Sequence, residues 1–169
     1  MDELNRRSPD DHKAAAHFPI WLLLEDVRSM HNVGSAFRTA DAFNISGIYL
    51  CGYTPPPPHR DIHKTALGAT ESVAWQYEKD TIGLLQQLKA EGCNIYALEQ
   101  THNSVPLRNF SIDAKSKTVL IFGNEASGVS DAALAFCDAC IEIPQWGAKH
   151  SLNISVSVGV ALWEMVRER

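Results

Sequence analysis

The sequence predicts an α/β protein, with a parallel β-sheet carrying helices on both faces. Three observations lead there. Trp21–Leu24 and Val119–Phe122 are apolar without interruption, the mark of strands buried on both sides. Segments of helical spacing alternate with such runs along the chain. Glycine, proline, asparagine and serine gather where the runs end, as at the ligand crevice of an open α/β sheet.

Taken in order, residues 1–18 read as a polar N-terminal arm and residues 19–169 as one domain. A strand over Ile20–Leu24 leads to a helix over Val33–Phe43, with Asn32 as its cap. Val33, Ala36, Phe37, Ala40 and Phe43 share its apolar face, and Arg38 points away from it. A strand over Ile48–Cys51 follows. Four prolines, Pro55 to Pro58, then predict an extended surface segment, either a stiff loop or a wall facing substrate. A short helix over Thr65–Thr70, a strand near Val73–Tyr77 and a helix over Thr81–Glu91 closed by Gly92 come next. Strands over Asn94–Leu98, Thr118–Phe122 and Ala139–Ile143, a helix over Ser130–Phe136, and a final helix from about Asn153 to Arg167 complete the set. That last helix is apolar nearly all round, so it must be buried against a core, a partner subunit, or both.

Size and composition narrow the function. A chain of 169 residues with 45% hydrophobic content suits one globular domain. No apolar stretch is long enough to span a membrane, and the charged N-terminus does not read as a secretory signal, so a cytoplasmic protein is expected. Cys137-x-x-Cys140 lacks a second pair or histidines at ligand spacing, so buried free thiols are expected rather than a metal site. The net charge of −5 opposes a broad nucleic-acid footprint. A local basic surface remains available: Arg28, Arg38, His59, Arg60, His63, Lys64, Lys149 and His150 all fall in or beside candidate site loops. Gly123-x4-Gly128 lacks the lysine of a phosphate-binding loop, and neither a dinucleotide fingerprint nor a nucleophile elbow is present.

Three motifs carry the chemistry. Asn32-x-Gly34-x-x-x-Arg38 follows the first strand. Gly123-Asn124-Glu125-x-x-Gly128 follows a late strand. Ile143-Pro144-x-x-Gly147-x-x-x-Ser151-Leu152-Asn153-x-Ser155 precedes the last helix. In this order they resemble motifs one, two and three of the TrmH (SpoU) branch of the SPOUT methyltransferases, over roughly Trp21 to the C-terminus. The sequence departs from the family at Gln145-Trp146, where an apolar pair is usual, and in the proline wall.

That resemblance implies a C-terminal deep trefoil knot, a homodimer formed through the last helix, and transfer of a methyl group from S-adenosyl-L-methionine to a ribose 2′-hydroxyl of RNA. Transfer RNA is favoured over ribosomal RNA, with a non-catalytic RNA-binding module as the rival. It implies Leu98, Gly123, Asn124, Ile143, Ser151 and Leu152 as cofactor-binding residues, and Asn32, Arg38, Glu125, Ser151 and Asn153 as the catalytic set. Arg28, Arg60, Lys64 and Lys149 are the expected RNA contacts, and no metal or membrane is expected. A guanidinium is a poor base, so Arg38 is expected to clamp a substrate phosphate and orient the hydroxyl, and Glu125 to orient Asn32 or Arg38.

Overall fold

The computed structural model describes residues 16–113, 115–148 and 151–167. Seven strands form one sheet in the order β3-β2-β1-β6-β4-β7-β5, with every pairing parallel. They are β1 (Phe18–Glu25), β2 (Ile45–Cys51), β3 (Trp75–Glu78), β4 (Asn94–Leu98), β5 (Val105–Pro106), β6 (Thr118–Phe122) and β7 (Ala139–Glu142). The helices are α1 (Met30–Ala42), α2 (Arg60–Ala66), α3 (Ala69–Ser72), α4 (Thr81–Ala90), α5 (Asp131–Leu134) and α6 (Ile154–Val166), with a 3₁₀ turn at Leu107–Asn109.

The central strands divide their side chains between two cores, as the period of two requires. Leu22, Leu24, Ile48, Leu50, Leu120 and Phe122 face a core shared with α1, α2, α3 and α6. Leu23, Tyr49, Cys51, Ile95, Val119 and Ile121 face the core under α4 and α5. Burying each large apolar side chain is worth about 1.5–3 kcal/mol, so the uninterrupted apolar runs hold both layers on the sheet.

Several boundaries differ from expectation. β1 begins at Phe18, whose N–H donates to Asn44 O, so it takes one residue from the span expected of the arm; residues 1–15 lie outside the described residues. α1 begins at Met30 because Ser29, not Asn32, is its cap: Ser29 Oγ accepts the Asn32 N–H at 3.3 Å. The expected helix over Thr65–Thr70 is two helices, since the backbone turns left-handed at Leu67 (φ 49°) and Gly68 (φ 91°) and breaks the ladder. The expected helix over Ser130–Phe136 is a single turn capped by Ser130. The proline segment is not evenly extended, because the Pro57–Pro58 peptide is cis. β5 is a further, two-residue edge strand that no apolar run marks.

The topology places a crevice. Chain leaving β6 leads to α5 on one face, and chain leaving β7, on the other side of β4, leads to α6 on the opposite face. Such a divergence at the carboxyl ends of the strands is where open α/β sheets bind ligands.

Candidate active site

At that edge a crevice of about 490 Å³ lies among the exits of β4, β6 and β7 and the start of α6, within the roughly 300–1,000 Å³ usual for small-molecule sites. Leu98 and Glu99 come from β4, Phe122 to Gly128 from β6, Ile141 to Ile143 and Gln145 from β7, and Ser151 to Ile154 with Ser157 from the helix start. The structure therefore unites all the expected cofactor positions, Leu98, Gly123, Asn124, Ile143, Ser151 and Leu152, in one wall. The wall mixes apolar side chains with polar groups, and it carries the carboxyl groups of Glu99, Glu125 and Glu142.

The Gly123–Gly128 loop is built by its own residues. Asn124 and Gly128 exchange backbone hydrogen bonds at 3.0 and 2.9 Å. A side chain at Gly123 would collide with the Gly128 backbone, and one at Gly128 (φ 71°) would collide with the Glu99 carboxylate. The Asn124 side chain is spent on the loop: Nδ2 donates to Asp26 O at 2.8 Å, and Oδ1 accepts the N–H groups of Ala126 and Ser127 at 2.9 and 3.1 Å. Its place in the wall is thus that of a brace. No local sequence signal marks Glu99, which locks β4 to this loop by accepting the Val129 N–H at 3.0 Å.

Glu125 joins the second motif to the first. Its carboxylate accepts the N–H of Arg28 (3.1 Å), the N–H of Ser29 (3.1 Å) and the Asn32 Nδ2–H (3.0 Å) at the N-terminus of α1. Desolvation raises its pKa, but the hydrogen bonds from the Arg28 N–H, the Asn32 amide and the Ser29 N–H outweigh that and hold the carboxyl below its ordinary value. Glu125 is thus poised as an ionised acceptor that fixes Asn32. In the third motif, Asn153 Oδ1 caps α6 by accepting the Ser155 N–H at 2.8 Å, which leaves the amide nitrogen as its remaining donor.

Arg38 is not part of the crevice wall. It lies six residues beyond Asn32 on α1, about 9 Å along the axis. It is exposed and makes no hydrogen bond or ion pair among the described residues. Arg60 and Lys64 are exposed on α2, where Lys64 pairs with Asp61 at 2.7 Å. α2 packs on α1 through Gly34, where a side chain would strike Ile62 and Thr65. Lys149 and His150 lie outside the described residues. Among the described residues there is no cluster of metal-ligating side chains and no helix long and apolar enough to cross a membrane. Cys137 and Cys140 pack against the α4–α5 core as free thiols.

A parallel sheet whose late strands and final helix enclose a small-molecule crevice, joined to a helix N-terminus by a buttressed glutamate, defines an open α/β ligand-binding protein. Residues 19–163 match the SpoU rRNA Methylase family, and the chain belongs to that family. It is 30% identical over 169 residues to the 23S rRNA (guanosine-2'-O-)-methyltransferase RlmB of Vibrio vulnificus, covering 99% of this chain and 66% of that one. It is 32% identical over 166 residues to the tRNA (guanosine(18)-2'-O)-methyltransferase of Thermus thermophilus, covering 98% and 79%. Among solved structures, the AdoMet-bound rRNA methyltransferase from Sinorhizobium meliloti superposes with a TM-score of 0.82 at 30% identity, covering 96% and 61%. The A. aeolicus TrmH/SpoU tRNA modifying enzyme superposes with 0.79 at 28% identity, covering 90% and 76%. The chain spans just under two thirds of the length of its RlmB relatives.

Proposed function

We propose that this chain transfers a methyl group from S-adenosyl-L-methionine to a ribose 2′-hydroxyl of RNA. The observation that carries the proposal is the convergence of the second and third motifs on one crevice, tied to the first motif through Glu125 and Asn32. The residues present suit the cofactor: the crevice has the right size and combines apolar residues with glycines, polar residues and acidic residues that complement a cation. When bound, the cofactor supplies an electrophilic methyl group on a cationic sulfonium.

The chain's own residues would do the rest. Leu98, Ile143 and Leu152 exclude water, which strengthens the electrostatics inside the crevice. Gly123, Ser151 and the Asn153 amide offer polar contacts to ligand. Ionised Glu125 holds Asn32 in place at the acceptor side. Arg38 clamps a phosphate of the RNA and so orients the hydroxyl; the proton leaves to that phosphate or to water, since the guanidinium stays protonated. Arg28, Arg60, Lys64 and Lys149 add phosphate contacts.

The finer architecture belongs to the same proposal. β7 lies between β4 and β5, so the connection running from β4 through β5 back to β6 passes outside β7 and the chain leaving it. This supports the C-terminal trefoil knot. Outward-facing Val156, Val160 and Trp163 form an apolar stripe on α6, with Trp163 62% exposed. Pairing of that stripe with its twin would bury it, which supports a homodimer. Between RNA classes we favour tRNA, whose compact stem-loops present unpaired nucleotides to a small face, and such a substrate would place the chain in the cytoplasm.

The test is incubation with methyl-labelled S-adenosylmethionine and separate tRNA and rRNA pools, followed by digestion to nucleosides. Label in a 2′-O-methylnucleoside from tRNA is expected. Label from rRNA would reassign the substrate, and S-adenosylhomocysteine failing to bind would favour the non-catalytic RNA-binding module.

A further inference from the structure

We propose that the β3 edge of the sheet is a stacking track for unpaired RNA nucleotides, headed by Tyr53, whose backbone is tied through Asp26 to Asn124 of the crevice wall. The proposal rests on the RNA-methyltransferase reading and adds to it where the substrate lies.

Tyr53 is 84% exposed, yet its backbone is pinned on every side. Its N–H donates to Asp26 Oδ1 at 2.7 Å. The preceding Gly52 carbonyl accepts the Tyr77 hydroxyl at 2.8 Å. The following Thr54 is buried; its hydroxyl donates to Leu24 O at 2.8 Å and accepts the Val27 N–H at 3.0 Å. Asp26 in turn receives the Asn124 amide through its carbonyl, and Asn124 lines the crevice. A large ring held in water on so rigid a base adds little to the core, and it loses little entropy when something stacks on it.

Trp75 and Tyr77 extend the row. They pair with Ile48 and Leu50, which face the α1 side, so both rings lie on that side of the edge strand, 38% and 40% exposed. Gln76 and Glu78 alternate to the other face and bond each other at 2.6 Å. The same side carries exposed Arg60 and Lys64 on α2. Acidic groups on this side include Asp61, paired with Lys64, Glu71 on α3, and Asp41 on α1, which accepts the Ser72 hydroxyl at 2.6 Å. Exposed rings on a fixed backbone match a single strand: base faces stack on aromatics regardless of sequence, and Arg60 and Lys64 on the same side of the sheet offer positive charge for phosphates. A duplex hides its base faces and would gain nothing from the rings.

The experiment measures binding of the full chain to a fluorescein-labelled oligouridylate and to a blunt RNA duplex. The unaltered protein should prefer the oligouridylate. Tyr53→Ala should weaken that binding about tenfold, Tyr53→Phe should restore it, and duplex binding should not change. Trp75→Ala should lower oligouridylate affinity further when added to Tyr53→Ala. An unaltered protein that does not bind oligouridylate, or a Tyr53→Ala variant that binds it normally, overturns the proposal. S-adenosylhomocysteine titration of the same samples separates the two readings: loss of cofactor binding in the unaltered protein would strike the methyltransferase reading, while a persisting Tyr53 effect would uphold the track.

Discussion

The side chain that organises the site is Glu125, and its hydrogen bonds explain why a glutamate stands there. It accepts three donors at the start of α1, where the helix dipole also favours negative charge. A carboxyl held below its ordinary value of 4.5 stabilises the fold above that pH and loses that contribution as pH falls through the lower folded value. Glu125→Gln should therefore flatten the acid limb of stability below about pH 4.5, read from urea midpoints across pH; an unchanged limb would refute the charge argument. Arg38→Ala should leave S-adenosylhomocysteine affinity intact and lower methyl transfer by about a hundredfold or more. Burial pushes the Cys51 and Cys137 thiols up to about 12, so both stay protonated at neutral pH. Neither should react with iodoacetamide in the native protein, and mass spectrometry showing rapid labelling would contradict that. The sequence left Glu125 to orient Asn32 or Arg38; the structure bonds it to Asn32, across 93 positions. Gly123 lines the crevice, and its bare backbone also lets the loop close, since a side chain there would meet the Gly128 backbone.

Elements were legible in proportion to how strongly their own residues specify them. β1, β4, β6 and β7 stand within a residue or two of their apolar runs. Where local signals conflict, tertiary context decides. Asn32 is a good cap residue, but Ser29 is another, and placing the cap there frees the Asn32 side chain for Glu125. The α2–α3 break falls at Leu67, a residue with no preference for positive φ. β5 is too short, and too plainly marked by Pro106, to announce itself. Two substitutions test this level. Ser29→Ala should cost about 1 kcal/mol by removing the cap. Gly34→Ala should cost about 1–3 kcal/mol by forcing α1 away from Ile62 and Thr65. Both follow from denaturant titration, and a neutral Gly34→Ala would mean that the helices are not pressed together there.

For the whole molecule, a parallel sheet with cores on both faces followed from the alternation of strands and helices, while the strand order, with β7 between β4 and β5, did not. At the level of sequence the proposed knot is implied only by the family resemblance, since composition and periodicity do not encode threading. The α6 stripe makes a prediction on this scale: Trp163→Glu should give a folded monomer, with unchanged circular dichroism and a lower sedimentation coefficient than the unaltered chain. If the unaltered chain sediments as a monomer at micromolar concentration, the dimer is wrong. The account depends most on what the crevice holds. Its most direct test is a crystal structure of the chain with S-adenosylhomocysteine. Density between Leu98, Gly123, Ile143 and Leu152 is the result expected; density for the ligand elsewhere, with this crevice empty, would contradict the account.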